Sequence, residues 1–207
     1  GGWRAVLRGS GPSAIDVWWV EGMVGALGVG VLSSDGDPHS DASGFVDAYG
    51  SLSPDSTHLA FVVFEHGDNY LGLVDVGTKN VERIRIPGVD ALTNPAWSPD
   101  GHTIAFSGQS TGVTDLFTYD IQSKAVHRLT SDQYADLQPA FSPDGRTLAF
   151  VSDRGTNTSM DQLRFSDLSV FTIELSSGTI TAVPGFENAK HINPQYAPDG
   201  KSIYFIA

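Results

Sequence analysis

The sequence predicts an all-β protein, a β-propeller of four-stranded antiparallel blades, and three observations predict it. A short module recurs: Ser53-Pro54-Asp55-Ser56, Ser98-Pro99-Asp100-Gly101, Ser142-Pro143-Asp144-Gly145 and Ala197-Pro198-Asp199-Gly200 begin 45, 44 and 55 residues apart. A period of roughly 40 to 50 residues is that of propeller blades. Each module leads into an apolar strand: His58-Leu59-Ala60-Phe61, Thr103-Ile104-Ala105-Phe106, Thr147-Leu148-Ala149-Phe150 and Ser202-Ile203-Tyr204-Phe205. No stretch of a dozen residues carries a helical period. The composition agrees, because a 207-residue chain with 40% hydrophobic and 17% charged residues can bury a core and lacks the charge density of a disordered chain.

The elements follow in chain order from the turn chemistry. The first blade, about 47–87, offers strands at 48–53, 58–64, 70–76 and 81–86. In the second, about 92–131, an inner strand at 95–98 meets a Pro-Asp-Gly turn, where Pro sets φ and Gly relieves the bend. The chain returns at 103–107, alternates through Asp115–Asp120, turns at Gln122-Ser123-Lys124 and ends on an outer strand at 126–130. The third blade, about 136–184, repeats the scheme, with its extra length between the second and third strands at 153–167. The fourth, 191–207, stops after two strands, and half a sheet leaves an open edge. Strands within residues 14–33 are expected to complete it, so the propeller spans 14–207 and residues 1–13 form a tail. Two closures stay open: a ring of four blades in cis, or a homodimer in which two copies exchange halves in trans or pair by their edges. The wedge shape of blades favours the larger ring, of about eight.

The pattern PxWSPDGxxIAF, seen at Pro95–Phe106, Pro139–Phe150 and, with variation, Pro194–Phe205, occurs together with Ser152-Asp153-Arg154-Gly155. Over about residues 45–207 it resembles the TolB-type β-propeller repeat of bacterial proteins. The resemblance implies six or more blades in a complete propeller, of which this chain is similar to a piece, and a bacterial, periplasmic or exported location. It also implies a range of roles: interaction module, gate of a peptidase, or in some members an enzyme with a metal in the central channel. It implies fold more than activity.

Aligning the units on Pro95, Pro139 and Pro194, with Gly50 in the first, puts Asp47, Leu92, Asp136 and His191 at one equivalent position, expected at the channel mouth. Asp47, Asp136 and His191 form a candidate site for a divalent metal ion (Zn, Mn or Ca), since oxygen and imidazole donors suit such ions. With Asp136 and His191 as catalytic residues, a metal-activated water would attack a phosphoester or related ester. Two positions on, Tyr49, Asn94, Gln138 and Asn193 form a neutral polar ring for substrate, and Arg154 is a bidentate partner for a small anionic ester. The competing reading is structural: an Asp or His at the start of an inner strand satisfies backbone donors, Leu92 breaks the symmetry of the site, and Arg154 ties blades together.

Other chemistry is poorly supported. The net charge of −12, from 12 basic and 24 acidic residues, disfavours nucleic acid and anionic membrane. No apolar run reaches 18 residues, and the absence of cysteine removes disulfides, thiol nucleophiles and thiolate metal sites. Asp35-Gly36-Asp37-Pro38-His39-Ser40-Asp41 lacks the Gly and Glu of a calcium-binding EF-hand loop, and Gly108-Gln109-Ser110-Thr111-Gly112 imitates a nucleophile elbow without a following helix. The function read from the sequence is therefore a binding or interaction module with a metal or ligand site at the channel mouth. The alternative is a metal-dependent hydrolase, and a serine-peptidase fragment is disfavoured.

Overall fold

A computed structural model describes residues 4–7, 16–20, 27–32, 44–46, 49–65, 67–155, 157–185 and 189–207. Among these residues the regular structure is all β. Strands β1 (Arg4–Leu7), β2 (Asp16–Val20) and β3 (Leu27–Leu32) form an antiparallel meander. In the first blade β4 (Gly44–Val46) and β5 (Tyr49–Leu52) share the inner position beside β6 (His58–Glu65), followed by β7 (Asp68–Asp75) and β8 (Val81–Ile84). The second blade is β9 (Ala91–Trp97), β10 (Thr103–Ser110), β11 (Val113–Asp120) and β12 (Val126–Arg128). The third is β13 (Asp136–Phe141), β14 (Thr147–Ser152), β15 (Ser169–Glu174) and β16 (Ile180–Ala182). The last sheet holds β17 (Ile192–Tyr196) and β18 (Ile203–Ile206).

The recurring tripeptide explains how blades stack. Phe61, Phe106 and Phe150 are fully buried, and so are Ala60, Ala105 and Ala149 between the larger residues. Ala60 packs in one cluster with Ile104 and Phe106 of the next blade. Ala105 does the same with Leu148 and Phe150. The methyl group is small enough for the neighbouring sheet to close over it, and each buried Phe contributes roughly 1.5–3 kcal/mol by leaving water. Gly108 makes room within its own sheet, since a Cβ there would lie 2.7 Å from the Phe117 ring on β11. The elbow-like sequence around Ser110 is thus a strand running into a hairpin turn at Thr111 and Gly112, both with positive φ.

The Ser-Pro-Asp turns are locked by side chains. Ser98 Oγ donates to Asp100 Oδ1 at 2.5 Å and accepts from the Thr103 N–H at 2.9 Å, while Asp100 Oδ1 accepts from the His102 N–H. The same bonds recur at Ser53–Asp55–His58 and Ser142–Asp144–Thr147. Each following glycine then sits against the preceding blade's proline: a Cβ on Gly145 would come 3.3 Å from Pro99, and Gly101 and Gly200 face Pro54 and Pro143.

Inner strands begin earlier than the proline-based reading places them, at Ala91 and Asp136. Their prolines lie within the strand beside a bulge, a place where a missing N–H is tolerated. Register shifts mark it in the second, third and fourth sheets.

Among the described residues of 14–33, β2 pairs with β1 and β3, and β3 pairs with β5 through Leu27↔Gly50 and Gly28↔Tyr49, while β17 and β18 pair with each other. Loop closure gives the reason, because β5 is near in sequence whereas β18 lies at the far end of the chain. Residues 4–7 of the expected tail are strand β1.

Candidate functional site

The side chains at the position shared by Leu92, Asp136 and His191 are all buried against neighbouring residues. Leu92 is 1% exposed and packs in the core between the first two blades. Asp136 is 0% exposed, and its Oδ2 accepts from Arg154 Nη2 at 2.6 Å. Burial pushes the Asp136 carboxyl above its ordinary value even with the guanidinium beside it. Its Oδ1 has no hydrogen-bond partner among the described residues. His191, 3% exposed, meets the Phe205 ring edge-on at 4.9 Å, and its main-chain N–H donates to Leu168 O. Gly185 makes room for that imidazole, since a Cβ there would stand 2.7 Å from it. Asp47 lies outside the described residues. Among the described residues no three His, Cys, Asp or Glu side chains gather as a metal site. The leucine at the second aligned position was the sign that this register faces a neighbour.

Arg154 ties its surroundings together. Besides Asp136 it pairs with Asp132 at 3.0 Å, donates from Nε to Ser152 Oγ, and stacks over Tyr134 at 5.1 Å. Asp153 completes the clasp by accepting from the Ala135 N–H. The Ser-Asp-Arg-Gly segment therefore fastens the connection between the second and third blades to the third. Its guanidinium is committed to two carboxylates, the opposite of an anion receptor held open.

The neutral ring has a backbone cause. Asn94, Gln138 and Asn193 have φ of 52°, 55° and 53°, the left-handed region that Asn tolerates best among residues with a side chain. They are the bulge residues of the inner strands, and Gln138 Oε1 accepts from the Asn193 N–H at 2.8 Å across the blades. All three nevertheless line one axial cavity of about 250 Å³, whose wall includes Trp97, Phe141 and Tyr196. No Asp, Glu, His, Lys or Arg is among its described lining residues. Tyr49, at the equivalent position, lies in β5.

A second ion pair on a buried carboxylate escaped the sequence reading. Asp115, 0% exposed, pairs with Arg128 and accepts from Thr130 Oγ1, which itself accepts from the Leu116 N–H. The available signal was an acidic residue beside the buried run of β11.

Known proteins share this architecture. A curated TolB homolog from Chlorobium luteolum is 28% identical over 131 residues, 62% of this chain and 26% of that protein. TolB from Acinetobacter baumannii superposes with a TM-score of 0.67 at 22% identity, over 99% of this chain and 46% of that one. The structure described as putative TolB from Agrobacterium tumefaciens gives 0.63 at 20% identity, over 93% and 71%. The chain thus spans about a quarter of the curated relative and just under half of the Acinetobacter protein. Residues 49–207 match the family described as the TolB beta propeller domain, and with the repeated turns and stacked four-stranded blades this match establishes that the chain belongs to it.

Proposed function

We propose that the chain is a binding module that recognises an uncharged polar or peptide-like ligand in the axial cavity. One observation carries this reading: in a protein of net charge −12, the cavity where the inner strands converge has no charged residue in its described lining. Amide groups on Asn94, Gln138 and Asn193, set beside aromatic walls, can donate and accept hydrogen bonds to a peptide backbone while the rings cover its apolar parts. Such a wall supplies no carboxylate or imidazole for proton transfer, which is why binding is preferred over ester hydrolysis. The family supports a bacterial, periplasmic or exported setting for this role.

The test is selection of peptides from a displayed library on the immobilised chain, followed by titration of the winners. Gln195→Trp, which fills the cavity and leaves the left-handed residues Asn94, Gln138 and Asn193 in place, is expected to abolish their binding while leaving the melting temperature close to wild type. Binding that survives this substitution, or chelator-sensitive turnover of an aryl phosphate or carboxylate ester, overturns the reading; the latter outcome returns the metal-dependent hydrolase.

A further inference from the structure

We propose that the edge of β18 is a docking site for one extended strand of a partner polypeptide, which runs antiparallel to it and carries a defined pattern: aliphatic, two variable residues, apolar, Asp or Glu, aliphatic. Among the described residues β18 pairs with β17 alone, whereas its counterparts β6, β10 and β14 have strands on both sides. All of Ile203–Ile206 is apolar, the composition of a strand flanked by others, yet Tyr204 and Ile206 are 60% and 57% exposed. Such an edge offers main-chain N–H and C=O groups to an incoming strand.

The chemistry of the occupant is read from the three sheets in which the same edge is filled. Aligned on the Pro-Asp turns, Ile203 corresponds to Leu59, Ile104 and Leu148, which stand opposite Val74, Tyr119 and Ile173. Ile206 corresponds to Val62, Ser107 and Val151, opposite Leu71, Leu116 and Val170. The residue facing the counterparts of Ser202 is always acidic: Asp75, Asp120 and Glu174. After it comes Val76, Ile121 or Leu175, whose N–H donates to the carbonyl of Thr57, His102 or Arg146 at 2.8, 2.9 and 2.9 Å. In the fourth sheet that carbonyl belongs to Lys201.

Charge agrees with this register. Asp75 has the His58 imidazole at 3.9 Å, and His102 and Arg146 are basic residues of the second and third turns. Lys201 takes their place in the fourth, where an acid on the incoming strand completes the pairing. Tyr204 sets the size of the occupant. Ala60 and Ala105, at the same position, lie under the next sheet, and a tyrosine ring does not fit beneath a sheet stacked that closely. The edge therefore takes a strand beside β18 and not a further sheet over it. A second copy has no such strand to lend. With Val, Ile or Leu at both ends, the pattern occurs in this sequence only at 71–76, 116–121 and 170–175, and β7, β11 and β15 there are already paired on both sides.

The experiment titrates the full ¹⁵N-labelled chain with the capped peptide Ac-Thr-Asp-Leu-Phe-Thr-Tyr-Asp-Ile-Gln-NH2, which copies residues 114–122, and with a shuffled peptide of the same composition. Saturable shifts centred on β18 and the turn at 197–202 are expected with the first peptide alone, at a light-scattering mass of one chain. Lys201→Glu changes an exposed turn residue and should weaken binding about fivefold, as should Lys in place of the peptide's second Asp, and the two changes together should restore most of the affinity. N-methylation of the peptide's Ile removes the N–H meant for the Lys201 carbonyl and should weaken binding about tenfold without altering the protein. No saturable shift, equal shifts with the shuffled peptide, shifts centred on Asn94, Gln138 and Asn193, or affinity unchanged by the charge reversals and the N-methylation overturns the proposal. So does a particle of two chains whose β18 signals change with protein concentration, because that edge then belongs to a second copy.

Discussion

The first three sheets and the fourth carry the same repeat, yet they use it differently. In the first three, Ser53, Ser98 and Ser142 lock the turn, and Ala60, Ala105 and Ala149 lie under a neighbouring sheet. In the fourth, Ala197 replaces the serine and leaves only the Lys201 N–H on Asp199, and Tyr204 replaces the buried alanine with its ring 60% exposed. The third blade opens on an Asp136–Arg154 pair, whereas the fourth opens on His191 against Phe205. The difference teaches that the repeat has two separable parts. Turn geometry survives substitution, while the small residue on the second strand is required only where another sheet closes over it.

The largest effect is expected where the third blade is broken. Arg154→Ala leaves a buried carboxylate unpaired and should cost about 3–5 kcal/mol in urea unfolding, while Asp136→Leu combined with Arg154→Met should be neutral or stabilising. A small loss in the single variant would mean that Asp136 is solvated. Next, Ala105→Tyr forces the fourth sheet's residue into a closed seam and should destabilise by about 1–3 kcal/mol, whereas Tyr204→Ala should stay within about 0.5 kcal/mol. Equal effects at the two positions would erase the distinction between covered and open sheets. Ser142→Ala converts a locked turn to the fourth sheet's version and should cost about 1 kcal/mol by the same measurement.

The smallest effect concerns acid. Hydrogen bonds from the serines depress the carboxyls of Asp55, Asp100 and Asp144, so their contribution is complete above the ordinary value of 3.8 and is lost as pH falls toward about 2, the value for Asp55. Unfolding midpoints measured from pH 5 to 2 should therefore fall less steeply in the Ser53→Ala, Ser98→Ala, Ser142→Ala triple variant than in wild type. An unchanged acid slope would remove the serines as the cause.

The architecture was legible because it rests on local chemistry that repeats: a Pro-Asp-Gly turn and an apolar strand with a small residue at its centre. The site was less legible, because the face that a residue presents depends on a bulge. Asn94, Gln138 and Asn193 do reach the axis, but their residue type answers a left-handed backbone as much as any ligand. Asp136 and His191 lie two positions before that bulge and turn into the seam, as Leu92 already indicated. For Arg154 the bridging role was one of two readings, and only three-dimensional proximity to Asp132 and Asp136 separates them.

The stacking of Gly101, Gly145 and Gly200 on Pro54, Pro99 and Pro143 meshes one rim of the molecule like a gear train. A residue inserted into any of those teeth would jam the next, so that rim can diversify by exchange of residue type but not by change of length. The opposite rim is held by side chains instead, among them Arg154 on Asp132 and Asp136, and there the third blade carries its long excursion between β14 and β15. Lineages sharing this scaffold should therefore vary in loop length at one pole and in side-chain identity at the other.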